Sequence, residues 1–238
     1  MAEEITALDS PIDAMALIHK ALVAEGSRVQ SLIEGYAPGD SLQNFRAAFN
    51  FWATTLMYHA DVEDRYMTGP LKEFQPARVN EAEHRELDGL FQDLTAYVDG
   101  REVTGLEGTV RKAIVALHEE QHAELMERLE DVLGVLNEEI GRTRVIARTK
   151  RHLYGKVVAL KICQDDHLES EEAFVLPEIR ERLSEEQQLT MAKRLLIDEA
   201  AEDPRWIIDW VSRELPPGER TLLADLEDRF ESVPSMAD

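Results

Sequence analysis

Residues 45–66 read FRAAFNFWATTLMYHADVEDRY, and the spacing within them decides the fold. Phe45, Phe49, Trp52 and Leu56 recur at alternating steps of four and three, which is one face of an α-helix. The same face continues through His59, Glu63 and Tyr66. A histidine and a glutamate therefore stand where a core stripe should be apolar. Residues 153–174, LYGKVVALKICQDDHLESEEAF, repeat the pattern, with Leu153, Val157, Leu160, Gln164, His167, Glu171 and Phe174 on one face.

Further histidines fall on apolar faces. His19 shares a face with Ile12, Met15 and Leu22; His84 with Leu87, Phe91, Leu94 and Val98; His118 and His122 with Ile114, Leu125 and Leu129. Of the seven histidines, only His152, beside the basic segment Arg148–Arg151, reads as a surface residue. Four residues turn a helix by about 400°, so positions i and i+4 lie about 40° apart and about 6 Å along the axis. Side chains so placed can converge on one metal ion or bridge two. Imidazole with carboxylate suits iron, manganese or zinc, and a chain whose single cysteine is Cys163 has no thiolate set, which leans the choice toward non-haem iron or manganese. Burying so many polar groups with neither hydrogen bonds nor a metal would be costly.

Outward from these stretches the periodicity stays helical, and no run of strict alternation reads as a strand. Ser10-Pro11 predicts the start of a first helix that runs to about Glu34 and stops at Gly35 and Pro38-Gly39. Ser41 opens a second, which ends before Gly69-Pro70. A third is expected from Arg78 to Asp99, a fourth from Leu106 to Leu136, and a long fifth from Arg142 to Leu183 with irregularities at Gly155 or Pro177. Ser184 caps a sixth, and Pro204 with Pro216-Pro217-Gly218 brackets two short ones. Long helices with short connections pack as an antiparallel bundle.

The charge narrows the partners. Acidic residues number 48 and basic residues 26, for a formal net charge of −22. Such a surface repels phosphate backbones and anionic membranes, so neither nucleic acid nor a membrane is expected as a partner. No apolar run reaches the roughly 18–20 residues of a membrane span. The opening MAEEITALDSPID has no basic or apolar signal segment, which predicts a cytoplasmic protein.

Taken in order, these motifs resemble the hemerythrin-like, or HHE cation-binding, family. HADVEDRYMTGP from His59 is similar to the family's H-x-x-x-E-D followed by proline, EHRELDGLFQDL from Glu83 to its E-H-x-x-L helix, and HLESEEAFVLPEIRERLSEEQ from His167 to its final H-x-x-x-E-E-x-x-x-L-P helix. His19 fits the lone histidine of the first helix, and RWIIDWVSRELPPGERTLL from Arg205 resembles the tail of longer bacterial members. The resemblance runs from about residue 11 to 230. It implies an all-α fold, an up-down antiparallel four-helix bundle with additional helices. Residues 10–183 would form the metal-binding bundle, and 184–238 a helical extension packed on it. The implied cofactor is two non-haem iron ions in an oxo- or hydroxo-bridged centre, ahead of manganese or zinc. His19, His59 and His167 carry over as ligands, with Glu63 and Glu171 as bridging carboxylates.

Two assignments of the remaining ligands stay open. One takes His118 and His122, the H-x-x-x-H of the oxygen-carrying members; the other takes His84, whose local sequence is closer to the third-helix signature. Helix direction favours the first, since the His59 and His167 helices should run the same way with one helix between them. The implied activity is binding of a small diatomic molecule such as O2 or NO, in sensing, storage of iron or carriage. The alternative is a diiron enzyme acting on O2, peroxide or nitric oxide. Apolar walls from Leu22, Leu56 and Leu160 would keep water out. Cys163 and the Trp206/Trp210 segment read as packing, and the acidic runs at Glu119-Glu120 and Glu169/Glu172 as solvated faces.

Overall fold

Ser10 donates its backbone N–H to the Asp13 carboxylate at 2.9 Å, which sets the 3-10 turn Pro11–Asp13 and launches the first helix. The computed structural model describes residues 4–37, 39–68, 106–138 and 147–233. They are helical almost throughout, with no strand among the described residues. Among the described residues four long helices come first: α1 (Ala14–Gly35), α2 (Gln43–Glu63), α3 (Leu106–Glu138) and α4 (Ala147–Ser170). Shorter ones follow: α5 (Leu176–Arg182), α6 (Glu185–Leu196), α7 (Trp206–Glu214) and α8 (Pro217–Asp228). The helix expected over 78–99, with His84, lies outside the described residues. Gly155 does not interrupt α4, and Ser184 caps α6 by accepting from the N–H of Gln187.

Cross-helix contacts give the direction of each neighbouring pair. Tyr36, after α1, accepts at its hydroxyl from the N–H of Phe45, near the start of α2, while His19 and His59 meet at the other end; α1 and α2 run antiparallel. Arg46 of α2 donates to the Leu136 carbonyl of α3, and His122 of α3 lies against Glu63 of α2. Lys156 of α4 pairs with Asp131 of α3, and Ser170 with Gln121. Lys150 donates to the carbonyls of Glu34 and Tyr36, and Glu172 meets His19. Each of these pairs is antiparallel too.

The core between these helices is the predicted stripe. Phe45, Phe49, Trp52, Leu56, Leu22, Leu153, Val157 and Leu160 are all buried. Each contributes about 1.5–3 kcal/mol relative to exposure. The approach of α1 to α2 depends on Gly26, because a Cβ there would stand 2.9 Å from Cζ2 of Trp52. The Trp52 indole N–H donates to Gln164 Oε1 at 2.7 Å, which accounts for the one buried amide of the α4 stripe.

The stripes break at two places. After Glu63 comes a π-helical turn, Asp64–Thr68, and another occupies Glu171–Val175. Each π turn adds one residue to the helical repeat, so the buried face slips by one position. Tyr66 and Phe174 were expected inside. Instead Met67 and Val175 are buried, Tyr66 is half-buried under the Arg194 guanidinium, and Phe174 is 47% exposed. The irregularity in the predicted fifth helix is thus a π turn just ahead of Pro177.

The C-terminal helices pack on α1 and α2. Trp210 meets Phe51 edge-on at 5.8 Å and Trp206 meets Tyr58 at 5.4 Å. Glu219 of α8 is buried, accepts from the N–H of Ile5 at 2.8 Å and pairs with Lys20 of α1. No helix among the described residues is long and apolar enough to cross a membrane.

Candidate metal centre

Helical periodicity aims the inward residues at one level of the interior. His19 comes from α1, His59 and Glu63 from the last turn of α2, His118 and His122 from α3, His167 from α4 and Glu171 from the π turn after it; all seven are buried. They form two groups that share Glu171: His19, His59, Glu63 and Glu171 on one side, and His118, His122, His167 and Glu171 on the other. Within each group the possible ligand atoms lie within 4.8 Å of one another.

The two carboxylates connect the groups. Glu63 places Oε1 2.8 Å from His59 Nε2 and Oε2 3.2 Å from His122 Nε2. Glu171 places Oε2 3.4 Å from His19 Nε2 and Oε1 3.3 Å from His118 Nδ1. His122 and His167 face each other through their Nε2 atoms at 3.1 Å.

Most of these atoms are close but not aligned for hydrogen bonding. His19 Nε2, His59 Nε2, Glu63 Oε1, both ring nitrogens of His118, His167 Nδ1 and both oxygens of Glu171 are buried without a hydrogen-bond partner. Each such orphan costs about 1–3 kcal/mol. Native interiors keep few of them without a reason, and here they belong to residues gathered at one place. Imidazole nitrogens and carboxylate oxygens, with no thiolate, are a donor set that suits iron, manganese or zinc. The residues present fit a pair of cations.

The charges agree. Burial alone would lower His19 and His122, but carboxylates outweigh it. Glu171 and Glu172 hold His19 up at about 9, and Glu63 with Asp64 does the same for His122. Burial would raise Glu63, yet His59, His122 and His167 hold it well below the usual carboxylate range. His118 is lowered, chiefly by its burial. Positive charge is thus favoured at the centre, supplied by protons in the metal-free chain.

The rim carries what sequence reasoning passed over. Glu172, read as solvated, has Oε1 2.8 Å from His19 Nδ1. Asp64, not singled out, has Oδ1 3.0 Å from His122 Nδ1. The available signal was the acid directly after Glu63 and Glu171, in H-x-x-x-E-D and H-x-x-x-E-E. A cleft of about 620 Å³, lined by Met57, Asp61, Asp64, Glu119, His122 and Met126, borders His122 on the α2/α3 side. His152 is exposed, as expected. Cys163 is buried in the core, and burial pushes its thiol up to about 11. His84 cannot be placed against this group, since it falls outside the described residues.

No curated protein and no solved structure matches the chain. A family model does, and its matched stretch takes in His19, His59, Glu63 and His118 but ends before His122, His167 and Glu171. The geometry brings those later residues to the same place. Over residues 10–119 the chain matches the family model of the hemerythrin HHE cation binding domain.

Proposed function

We propose that this chain is a non-haem diiron protein of hemerythrin type that binds dioxygen or a related diatomic molecule such as NO in the cytoplasm, in sensing, iron storage or carriage. The observation that carries the reading is the pair of buried His/Glu groups sharing Glu171, with most of their inward atoms left without hydrogen bonds. The antiparallel contacts of α1 to α4 support an up-down four-helix bundle over residues 10–183, with 184–238 packed on it as an extension.

In this reading His19 and His59 would hold one iron, His118, His122 and His167 would hold the other, and Glu63 and Glu171, which lie between the two sets of histidines, would be shared by them. Bound iron supplies an open coordination position and a change of oxidation state. The protein supplies the surroundings. Leu22, Leu56 and Leu160 are buried, and their side chains exclude water from the space between the helices, which limits side reactions. The cleft beside His122 is the side from which a small molecule would approach.

The test is metal analysis with optical spectroscopy of the purified chain. One iron per His/Glu group, and a spectrum that changes reversibly with O2 or NO, would support the reading; a chain that takes up no iron would refute it. The enzymatic alternative, turnover of O2, peroxide or nitric oxide, is favoured by the half-exposed carboxylates of Asp64 and Glu172, since an acid that touches both a buried histidine and solvent can relay protons to the centre. Peroxide consumption, or nitrous oxide formed from NO, would select it.

A further inference from the structure

The acid that follows each bridging glutamate reaches a histidine on a neighbouring helix. Asp64 Oδ1 lies 3.0 Å from His122 Nδ1, and Glu172 Oε1 lies 2.8 Å from His19 Nδ1. In both histidines the other nitrogen, Nε2, faces inward: that of His122 toward Glu63 Oε2 at 3.2 Å, that of His19 toward Glu171 Oε2 at 3.4 Å. His122 belongs to one His/Glu group and His19 to the other. Each group therefore has one histidine clamped from behind by a carboxylate.

We propose that Asp64 and Glu172 are a matched pair of positioning residues, one for each metal position, which turn His122 and His19 so that Nε2 points at the centre. The inference rests on the two-metal reading given above. A carboxylate on Nδ1 fixes the ring's orientation and makes Nε2 the ligand atom, and it raises the basicity of that nitrogen. The π turns belong to the same device. Asp64 opens one and Glu172 lies in the other, directly after the residue whose carboxylate faces the centre. The motif H-x-x-x-E-acid thus has three outputs: an imidazole and a carboxylate for the centre, and a second carboxylate for the neighbouring helix's imidazole. Glu169, on α4 two residues before Glu171, is exposed and serves as the control for a merely solvated acid.

The experiment measures metal affinity at the two positions, by chelator competition with iron(II) and by the ligand-field spectrum with cobalt(II), on the full chain. Asp64→Ala is expected to weaken one position and Glu172→Ala the other, each by about 10–100-fold, with a spectral change confined to the affected position. Asp64→Asn and Glu172→Gln should recover most of the loss, because an amide carbonyl still accepts from Nδ1–H. Glu169→Ala should match the wild type. Both acids are about half exposed, so the alanine variants keep the core, and their melting curves check this. Wild-type affinity and spectra in both alanine variants would overturn the proposal while leaving the metal centre standing. So would amide variants no better than alanine, or an equal loss in Glu169→Ala. A wild-type chain that binds neither metal would overturn both readings together.

Discussion

His122 and His167 bring their Nε2 atoms to 3.1 Å from one another across the α3/α4 interface. Two lone pairs at that distance repel, so either a proton or a cation must lie between or beside them. His122 lies beyond the stretch that the family match covers, and so does His167.

Glu63 and Glu171 each touch both groups of histidines. Replacing either by alanine removes a ligand from both positions and leaves imidazoles facing a gap. Metal analysis of Glu63→Ala and Glu171→Ala should show iron well below the wild-type content. Full loading in both variants would sink the bridging role.

Metal binding to the native state adds stability by mass action. At a free metal concentration 100 times the dissociation constant the gain is about 2.7 kcal/mol. At about 2–4 °C per kcal/mol for a chain of this size, the iron-loaded protein should melt about 5–10 °C above the metal-free one. Scanning calorimetry with verified metal content checks this, and equal melting temperatures would count against a site in the core.

The metal-free chain should lose stability as pH rises from 6.5 to about 9. His19 and His122 are held at about 9 in the folded chain against an ordinary 6.5. A group raised by folding stabilises fully below its unfolded value and loses that contribution as pH climbs through the folded one. Metal must displace those protons, so loading near neutral pH should release protons and tighten as pH rises. Melting curves across this range, and proton release read with a weakly buffered indicator, test the two halves. A metal-free melting temperature that rises over the same interval would contradict the assignment.

The ligand alternatives separate by spectroscopy. A His118→Ala/His122→Ala double variant should change the spectrum of the iron-loaded chain strongly, because both side chains belong to one His/Glu group. His84→Ala should leave it nearly intact. An unchanged spectrum in the double variant, with iron still bound, would reverse the choice.

Gly26→Ala should destabilise the chain by about 1–3 kcal/mol, since its Cβ would press on the Trp52 ring 2.9 Å away. The strain falls on the ring whose N–H holds Gln164, three residues before His167. Urea unfolding of the metal-free chain measures it; wild-type stability would mean that α1 and α2 separate freely.

Among the described residues the sequence alone determined the long helices and, up to the π turns, which residues of the α2 and α4 stripes turn inward. That is local information: a 3.6-residue repeat places His59 and Glu63 on the face of Phe49 and Trp52 whatever the partner helix is. It equally placed His19, His118, His122, His167 and Glu171, all of which are buried. The sorting of these residues into two groups, and the pairings Asp64 with His122 and Glu172 with His19, were decided only by the tertiary structure. Such pairs join positions 58 and 153 residues apart, and no periodicity within one helix encodes the rotation of its neighbour. The π turns were hidden for a related reason. Whether a turn closes with one extra residue depends on what the side chains at its start must reach, so the pattern that put Glu63 and Glu171 inside missed Met67 and Val175 by one position.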